Sequence, residues 1–403
     1  MNDLLGVLAV LPPTPERWQQ EVTLRTSKAR ALMTLKGYTG EVEDAFEEAL
    51  ALFEGQRELP QIFPVLRSLA SFYQYRAEFA KVTEMGREIL RLAEASGEPG
   101  MLVDGHFVVG SGLAFRGGLQ EGVRHLETAI SLFTAEDYRP RRMRLGNDPR
   151  VPCYTTLGFL LWMSGFPDRA VVESTHGVEI ARQLNHPFSL AYGLYHSGFL
   201  HLWRREFDLS RERALGVLEV VDEHELPIWR AVGMCLLGAS NTGLGDPVQG
   251  LSQIQEGIEM YQGLRTPPIF WPLIRSMEAT AYAYAGRPAE ARERIEEAIN
   301  VAGHAAPMSA EYHLGKGDVV LMARDPEPET AEAAYRLAFE LASGEGARMV
   351  QLRAATRLYR LARERGEAAE DRRAELQALY EGFTEGFTTA DLKEAAELLA
   401  SAG

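Results

Sequence analysis

Cysteine is scarce in this sequence. Only two cysteines occur among the 403 residues, Cys153 and Cys235, and each lies in an apolar stretch. Secreted domains that depend on disulfide bonds usually contain more, because crosslinks replace part of a core that a small chain cannot build. A pair of reduced thiols in a cytoplasmic protein is the interpretation we favour, and a single disulfide between them is the alternative.

Long apolar runs and excess positive charge are also missing. The apolar stretch at residues 4–10 follows Asp3 and ends before Pro12, so it is too short to cross a bilayer and lacks the basic flank of a signal peptide. Acidic residues outnumber basic ones by 57 to 42, which gives a formal net charge of -15. This charge argues against binding to nucleic acid or to a membrane, and it favours a cationic or neutral partner. We expect a cytoplasmic protein.

Catalytic motifs are absent as well. Residues 315–317 read Gly-Lys-Gly, but the upstream glycine and the following hydroxyl residue of a phosphate-binding loop are missing. His196 and His201 are five residues apart and fall on different faces of a helix, unlike the paired histidines of a helical zinc site. No serine lies in the strand–turn–helix setting of a nucleophile elbow. We therefore predict that the chain is not an enzyme and has no cofactor and no metal site.

What the sequence does contain is a repeated pattern of small residues. Gly158, Ala170 and Gly177 are separated by 12 and then 7 residues, and the same spacing recurs three more times. The other copies are Gly110, Gly122 and Ala129, then Gly238, Gly250 and Gly257, then Ala279, Ala291 and Ala298. Antiparallel helices approach closely only where the side chains at their crossing are small, so the pattern predicts stacked helix pairs. This spacing is typical of tetratricopeptide repeats.

Turn signals recur with a period of about 40 residues, longer than the roughly 34 residues of a standard tetratricopeptide unit. Gly165 followed by Pro167 is one example, since glycine fits just after a helix and proline fits the first position of the next. The other turns are expected near Ala77, Gly117, Arg205, Gly245, Gly286, Asp325 and Gly366. We predict an all-α fold, a tetratricopeptide-like right-handed superhelical solenoid of about nine helix-turn-helix repeats.

The whole chain, 1–403, is predicted to form a single solenoid domain. Its parts are a lead-in at 1–15, repeats one to three at 16–133, an Arg-rich insertion at 134–148, repeats four to nine at 149–383 and a C-terminal capping helix at 384–403. The capping helix would cover the last apolar face. The insertion contains Arg139, Arg141, Arg142 and Arg144. These arginines form either a solvated loop that pairs with acidic helices or a contact for an anion or a partner.

The repeat register also predicts which side chains face the hollow of the solenoid. In tetratricopeptide proteins, four positions of each first helix line the concave surface. In the fourth and fifth repeats these positions hold Pro152, Thr155, Phe159, Trp162, Tyr192, Tyr195, Phe199 and Leu202. The five aromatic residues among them would form an apolar patch for a peptide or a small ligand. The alternative is that tight curvature buries them as core.

A second candidate group lies on one helix near residue 315. Glu311 and Asp318 share this helix with His313 and Lys316. The two carboxylates are candidates for binding a ligand or a partner. The alternative is that they belong to an ion-paired wall of the groove.

Several stretches are more distinctive than the pattern that tetratricopeptide repeats share in general. They are residues 147–149, 165–168, 186–191, 204–206, 316–318, 352–356 and 383–389. In this order they resemble the C-terminal tetratricopeptide-repeat region of large bacterial signalling proteins, in which a class III adenylate or guanylate cyclase domain and an AAA (STAND-type) ATPase precede the repeats. The Phe-Thr-Glu-Gly-Phe stretch at 383–387 is the most distinctive part. The catalytic motifs of those preceding domains are not present in this sequence.

The resemblance implies a sensor or interaction region, either excised from a longer protein or encoded alone. We expect a non-catalytic protein-interaction or regulatory scaffold of a bacterial signalling system, with a protein or peptide in its concave groove. The alternative is a solenoid that senses a small molecule, similar to the repeat domain of the maltose-responsive transcription activator.

Overall fold

The chain is described by a computed structural model over residues 2–56, 58–133, 148–264, 268–303, 308–366 and 369–401. In these ranges there are 20 α-helices, two short 3-10 helices and no strand, which confirms the all-α prediction. None of these helices is both long and apolar enough to cross a membrane. The four arginines of the predicted insertion, Arg139, Arg141, Arg142 and Arg144, lie outside the described residues.

The helices form nine antiparallel pairs between a short leading helix and a final one. The leading helix is α1 (Asn2–Ala9), and the pairs are α2 (Pro15–Lys36) with α3 (Gly40–Ala51), α4 (Phe63–Tyr75) with α5 (Phe79–Ser96), α6 (Pro99–Ala114) with α7 (Leu119–Ser131), α8 (Arg150–Met163) with α9 (Pro167–Gln183), α10 (Pro187–Trp203) with α11 (Phe207–Glu223), α12 (Pro227–Gly243) with α13 (Pro247–Gly263), α14 (Trp271–Tyr284) with α15 (Pro288–Ala302), α16 (Met308–Leu321) with α17 (Pro328–Glu345), and α18 (Arg348–Glu364) with α19 (Glu370–Glu381). The final helix is α20 (Ala390–Ala400), and the 3-10 helices are Pro60–Ile62 and Pro268–Phe270.

Left-handed backbone conformations mark the turns inside the pairs. Positive φ occurs at seven of the eight turn positions expected from the sequence, namely Ala77, Gly117, Gly165, Arg205, Gly245, Gly286 and Gly366. Such a residue reverses the chain direction and ends the first helix. Proline then begins the second helix of several pairs, as at Pro167 and Pro247. The period of about 40 residues in the sequence is therefore the number of residues from one of these turns to the next.

The small residues of the repeated triplets lie where the helices of a pair touch. A Cβ atom built on Gly158 would be 2.8 Å from the carbonyl oxygen of Ala170, and one on Gly250 would be 2.5 Å from the carbonyl oxygen of Gly238. Real Cβ atoms do not approach backbone so closely. The close crossings of α8 with α9 and of α12 with α13 thus depend on glycine.

The C-terminal end of the solenoid contacts the fourth repeat directly. The carboxylate of Glu385 accepts hydrogen bonds from the backbone N–H groups of Asp168 at 2.8 Å and Arg169 at 2.9 Å, at the N-terminus of α9. The backbone N–H of Gly386 donates to the Asp168 carboxylate at 2.9 Å. The first N–H groups of a helix lack partners within it, so an acidic side chain is a favourable cap there. We call the contact of Glu385 and Gly386 with Asp168 and Arg169 the C-terminal latch.

A buried cluster around Arg353 of α18 strengthens this closure. Its guanidinium donates to the carboxylate of Asp391 at 2.8 and 2.9 Å and to the carboxylate of Glu311 at 2.9 Å. It also donates to the backbone oxygen of Trp203 and lies 4.8 Å from the centre of the Trp162 ring. This Arg353 cluster joins the last two repeats and the capping helix to the fourth and fifth repeats. The solenoid therefore coils back onto itself.

Candidate functional site

The coiling surrounds a partly open cavity of about 840 Å³ in the hollow of the solenoid. Its walls come from α2, α4, α6, α8 and α10, from the α4–α5 turn and the start of α5 (76–81), from residues 269, 270, 272 and 273 at the start of the seventh repeat, and from the end of α15 and the start of α16. Helix α4 packs against the 3-10 helix Pro268–Phe270, which brings the second repeat up to the seventh. The cavity is therefore a partly open cleft of the size that ligand-binding sites usually have.

Aromatic side chains dominate one wall of the cavity. Six of the eight side chains that the repeat register assigns to the concave surface line it, namely Pro152, Thr155, Phe159, Tyr192, Tyr195 and Phe199. Phe159 continues a stack in which its ring centre is 5.8 Å from that of Phe115. Four of the five predicted aromatics therefore share one surface. Their role in binding stays a proposal.

Trp162 is in a different place from the one that the register predicts. Its side chain is 0% exposed and does not line the cavity. It stacks on Trp203 with ring centres 4.6 Å apart, and the guanidinium of Arg353 covers it. Leu202 does not line the cavity either. The second alternative, burial as core through tight curvature, holds for Trp162. It also describes Tyr195 and Phe199, which border the cavity but are only 1% and 7% exposed.

Glu311 and Asp318 are also away from the cavity lining. Glu311 is bound in the Arg353 cluster, and burial raises the pKa of its carboxyl although Arg353 opposes that shift. Asp318 accepts hydrogen bonds from Arg357 at 2.6 and 2.8 Å and from the hydroxyl of Tyr335 at 2.7 Å. Both carboxylates are engaged within the fold, as the ion-paired alternative describes.

The cavity wall does not share the acidic excess of the chain, although several of its basic groups are paired with carboxylates. Among the described residues of the lining, five side chains are basic and one, Glu78, is acidic. The basic residues are Arg30, Arg67, Arg76, Lys81 and Arg116. The net charge of the chain is therefore a poor guide to the cavity wall, because net charge averages over a large outer surface. A signal was available in the sequence. Counting seven residues back from the turn at Ala77, as from Gly165 to Gly158, gives Ala70, and Arg67 lies three residues before Ala70, as the concave residue Thr155 lies three before Gly158.

His196 lines the cavity between two of these tyrosines. Its ring centre is 4.2 Å from that of Tyr192 and 5.3 Å from that of Tyr195. Burial lowers the pKa of His196 to about 3, so the imidazole is neutral at physiological pH. A neutral imidazole can both donate and accept a hydrogen bond.

The lowered pKa of His196 predicts a loss of stability in acid. The neutral imidazole stabilises the folded state fully above the unfolded pKa of 6.5, and this contribution disappears as the pH falls toward 3. Between pH 7.5 and pH 5, the free energy of unfolding of the unchanged protein should fall by about 2 kcal/mol more than that of a His196→Asn variant. Urea denaturation of both proteins at the two pH values measures this difference. Equal losses would contradict the burial of His196.

Comparison with known proteins identifies similar folds and no similar sequence. No known protein-family profile matches the sequence, and no curated protein is similar to it at a significant level. Among solved structures, a Rap protein in complex with competence and sporulation factor has a TM-score of 0.59 and 10% identity, over 95% of this chain and 99% of that one. The Rap conjugation gene regulator of plasmid pLS20, in complex with the Phr* peptide, has a TM-score of 0.53 and 10% identity, over 95% and 98%.

A third similar structure is a signal transduction ATPase of the STAND type from Pyrococcus horikoshii that has a tetratricopeptide repeat sensor. Its TM-score is 0.43 with 12% identity, over 88% of this chain and 54% of that one, which is too weak to support an argument. At such identities the two Rap structures support the fold alone. The chain has the fold of a tetratricopeptide-like α-solenoid.

Proposed function

We propose that this chain is a non-catalytic regulatory module of a bacterial signalling system that binds a short peptide in its central cavity. The observation that supports this function is the cavity itself, a partly open space of about 840 Å³ with an aromatic wall. Ligand-binding cavities usually measure about 300 to 1,000 Å³ and combine apolar walls with a few polar groups. Phe159, Tyr192, Tyr195 and Phe199 are the proposed apolar contacts.

The polar side chains of the lining favour a peptide over a compact small molecule. Ser71 and Gln74 lie on α4, and Thr155 and Thr156 lie on α8, so hydrogen-bonding groups are spread along two walls. A peptide has a donor and an acceptor at every residue and needs partners along its length. The two Rap structures of similar fold, each in complex with a binding partner, are consistent with this choice.

The wider context belongs to the same proposal. The resemblance to the repeat region of cyclase–ATPase signalling proteins suggests that the bound peptide changes how the solenoid contacts an output domain or a separate protein. We place this activity in the cytoplasm, in keeping with two buried cysteines that are free thiols. The alternative, a small-molecule sensor, would use the same aromatic wall.

Filling the cavity tests the proposal without removing any packing. Gln74 is half-buried and lines the cavity, so a Gln74→Trp substitution places an indole in the space of the ligand. The matched control is Gln120→Trp on α7, where Gln120 is exposed and outside the lining. Random pentapeptide pools should raise the melting temperature of the unchanged protein and of the control by a few degrees. They should not raise that of Gln74→Trp.

Two results would contradict this proposal. If pentapeptide pools fail to stabilise the unchanged protein, the cavity does not bind peptides. If they stabilise Gln74→Trp as well as the control, they bind elsewhere on the surface. Circular dichroism of both variants confirms that each remains helical.

A further inference from the structure

We infer that the peptide bound in the central cavity carries a carboxylate, and that Arg67 binds it. This inference rests on the proposed function and specifies the chemistry of its ligand. The net charge of the chain, taken alone, favours a cationic or neutral partner, so this inference differs from the expectation based on composition. The features that carry it are the geometry of Arg67 and the distribution of charge around the cavity.

Arg67 is held rigidly at the cavity wall. Its Nε donates to the carboxylate of Asp104 at 3.0 Å, and its Nη1 donates to the hydroxyl of Ser71 at 2.6 Å. The guanidinium carbon lies 5.4 Å from the centre of the Phe107 ring. Asp104 is only 1% exposed and does not line the cavity, whereas Ser71 and Arg67 do, and Arg67 is 8% exposed. Asp104 and Ser71 thus hold the guanidinium through Nε and Nη1, and neither of these hydrogen bonds uses Nη2.

A guanidinium fixed in this way is preorganised for an anion. Arginine presents donors in a planar fork that matches a carboxylate, and hydrogen bonds between charged groups are stronger than those between neutral ones. Because Asp104 and Ser71 already hold the side chain, little rotamer entropy is lost when a ligand binds.

The other charged groups of the described lining leave no negative excess around the cavity. Glu78, the one acidic side chain among the described lining residues, binds Arg76 at 2.5 Å and Lys81 at 2.8 Å, and Lys81 also pairs with Glu43 at 3.0 Å. These contacts lower the pKa of Glu78 against the effect of burial, so it stays ionised and neutralised by its partners. Arg116 is exposed at the end of α6 and adds further positive charge. A confined space with walls of low dielectric concentrates this field on a ligand.

Neutral donors complete the site near Arg67. Tyr75 lines the cavity, and burial raises the pKa of its hydroxyl to about 12 while Arg67 opposes the shift. The hydroxyl therefore keeps its proton and can donate it to an anion. Phe159 and Phe199 on α8 and α10 offer an apolar surface in the same cavity. The ligand that fits both regions is a short peptide with one carboxylate and large apolar side chains.

Four pentapeptide pools test this inference. Each is acetylated at its N-terminus and randomised over Ala, Val, Leu, Phe and Tyr at the first four positions. The last residue is Glu-amide, Gln-amide, Lys-amide or Gln with a free carboxylate. For the unchanged protein we measure the pool concentration that gives half of the maximal rise in melting temperature. We expect this concentration to be about tenfold or more lower for a carboxylate-bearing pool than for the Gln-amide pool. The Glu-amide and free-acid pools then distinguish a side-chain carboxylate from a terminal one.

Substitutions at Arg67 identify the residue responsible. Arg67→Gln combined with Asp104→Asn removes both buried charges together, so neither is left unpaired, and it should bring the carboxylate and Gln-amide pools within about twofold of each other. Arg67→Lys keeps Asp104 neutralised and should lose about tenfold in affinity while retaining some preference for the carboxylate. The control is Arg230→Gln, an arginine outside the lining that pairs with Asp222. It should behave like the unchanged protein.

The possible failures are distinguishable. If the Lys-amide pool binds as well as the carboxylate pools, or if both Arg67 variants keep the full preference, the inference about charge is overturned while peptide binding stands. If no pool stabilises the protein, the proposed peptide-binding function is itself overturned, and the inference with it.

Discussion

A Gly250→Leu substitution should destabilise the sixth repeat by about 3 kcal/mol or more. A Cβ atom at this position would lie 2.5 Å from the carbonyl oxygen of Gly238 and 3.0 Å from the backbone nitrogen of Thr242. It would also meet the hydroxyl of Thr242, which donates to that same carbonyl at 2.9 Å. Because the obstacles are mainly backbone, no rotamer relieves the overlap, and α12 and α13 must separate.

The matched control for Gly250→Leu lies in the same helix. Gly263 is the last residue of α13, and a Cβ atom there would meet nothing within 4 Å. Gly263→Leu should leave stability unchanged or raise it by less than about 1 kcal/mol, since leucine is a better helix former than glycine. Thermal and urea denaturation of both variants test the difference. Equal stabilities would show that the α12–α13 crossing is looser than the distances indicate.

Replacing Arg353 with methionine should cost about 3 to 5 kcal/mol. The variant would leave the carboxylates of Asp391 and Glu311 without their guanidinium partner, where their side chains are 4% and 12% exposed. Removal of one member of a buried ion pair is costly because the remaining charge stays desolvated. The substitution would also remove the contact with the Trp162 ring and the donor to the Trp203 oxygen.

An exposed arginine provides the comparison for Arg353→Met. Arg336 of α17 is 56% exposed and pairs with Glu332 one turn away, so Arg336→Met should change stability by about 0.5 kcal/mol or less. Urea denaturation followed by circular dichroism measures both variants. In Arg353→Met, tryptophan fluorescence should report early loosening around Trp162 and Trp203. Similar effects of the two substitutions would contradict a stabilising role for the Arg353 cluster.

The sequence was sufficient to predict the repeats because their signals are local. A turn residue such as Gly165 and a small residue such as Gly158 act on helices that are adjacent in the chain. The number of helix pairs and six of the eight concave positions follow from such local signals. The same register applied to the second repeat would also have indicated Arg67.

What could not be predicted depends on contacts between distant repeats. Trp162 occupies a concave register position, yet Arg353, which is 191 residues later, covers it. Glu311 and Asp318 pair with arginines of the ninth repeat, and no periodic pattern in the sequence indicates that those helices meet. The pitch of the solenoid decides these contacts. It results from the sum of many small rotations between repeats, which single residues do not encode.

The C-terminal latch has a consequence for how the number of repeats can change. In an open array, each unit contacts only its neighbours, so units can be gained or lost with little effect elsewhere. Here Glu385 must reach the N-terminus of α9, and Arg353 must reach Trp203. Adding or deleting one helix pair between the fifth and ninth repeats would shift both groups out of register. The C-terminal latch and the Arg353 cluster therefore fix the number of helix pairs between the fifth and ninth repeats, as closure fixes the number of units in a ring.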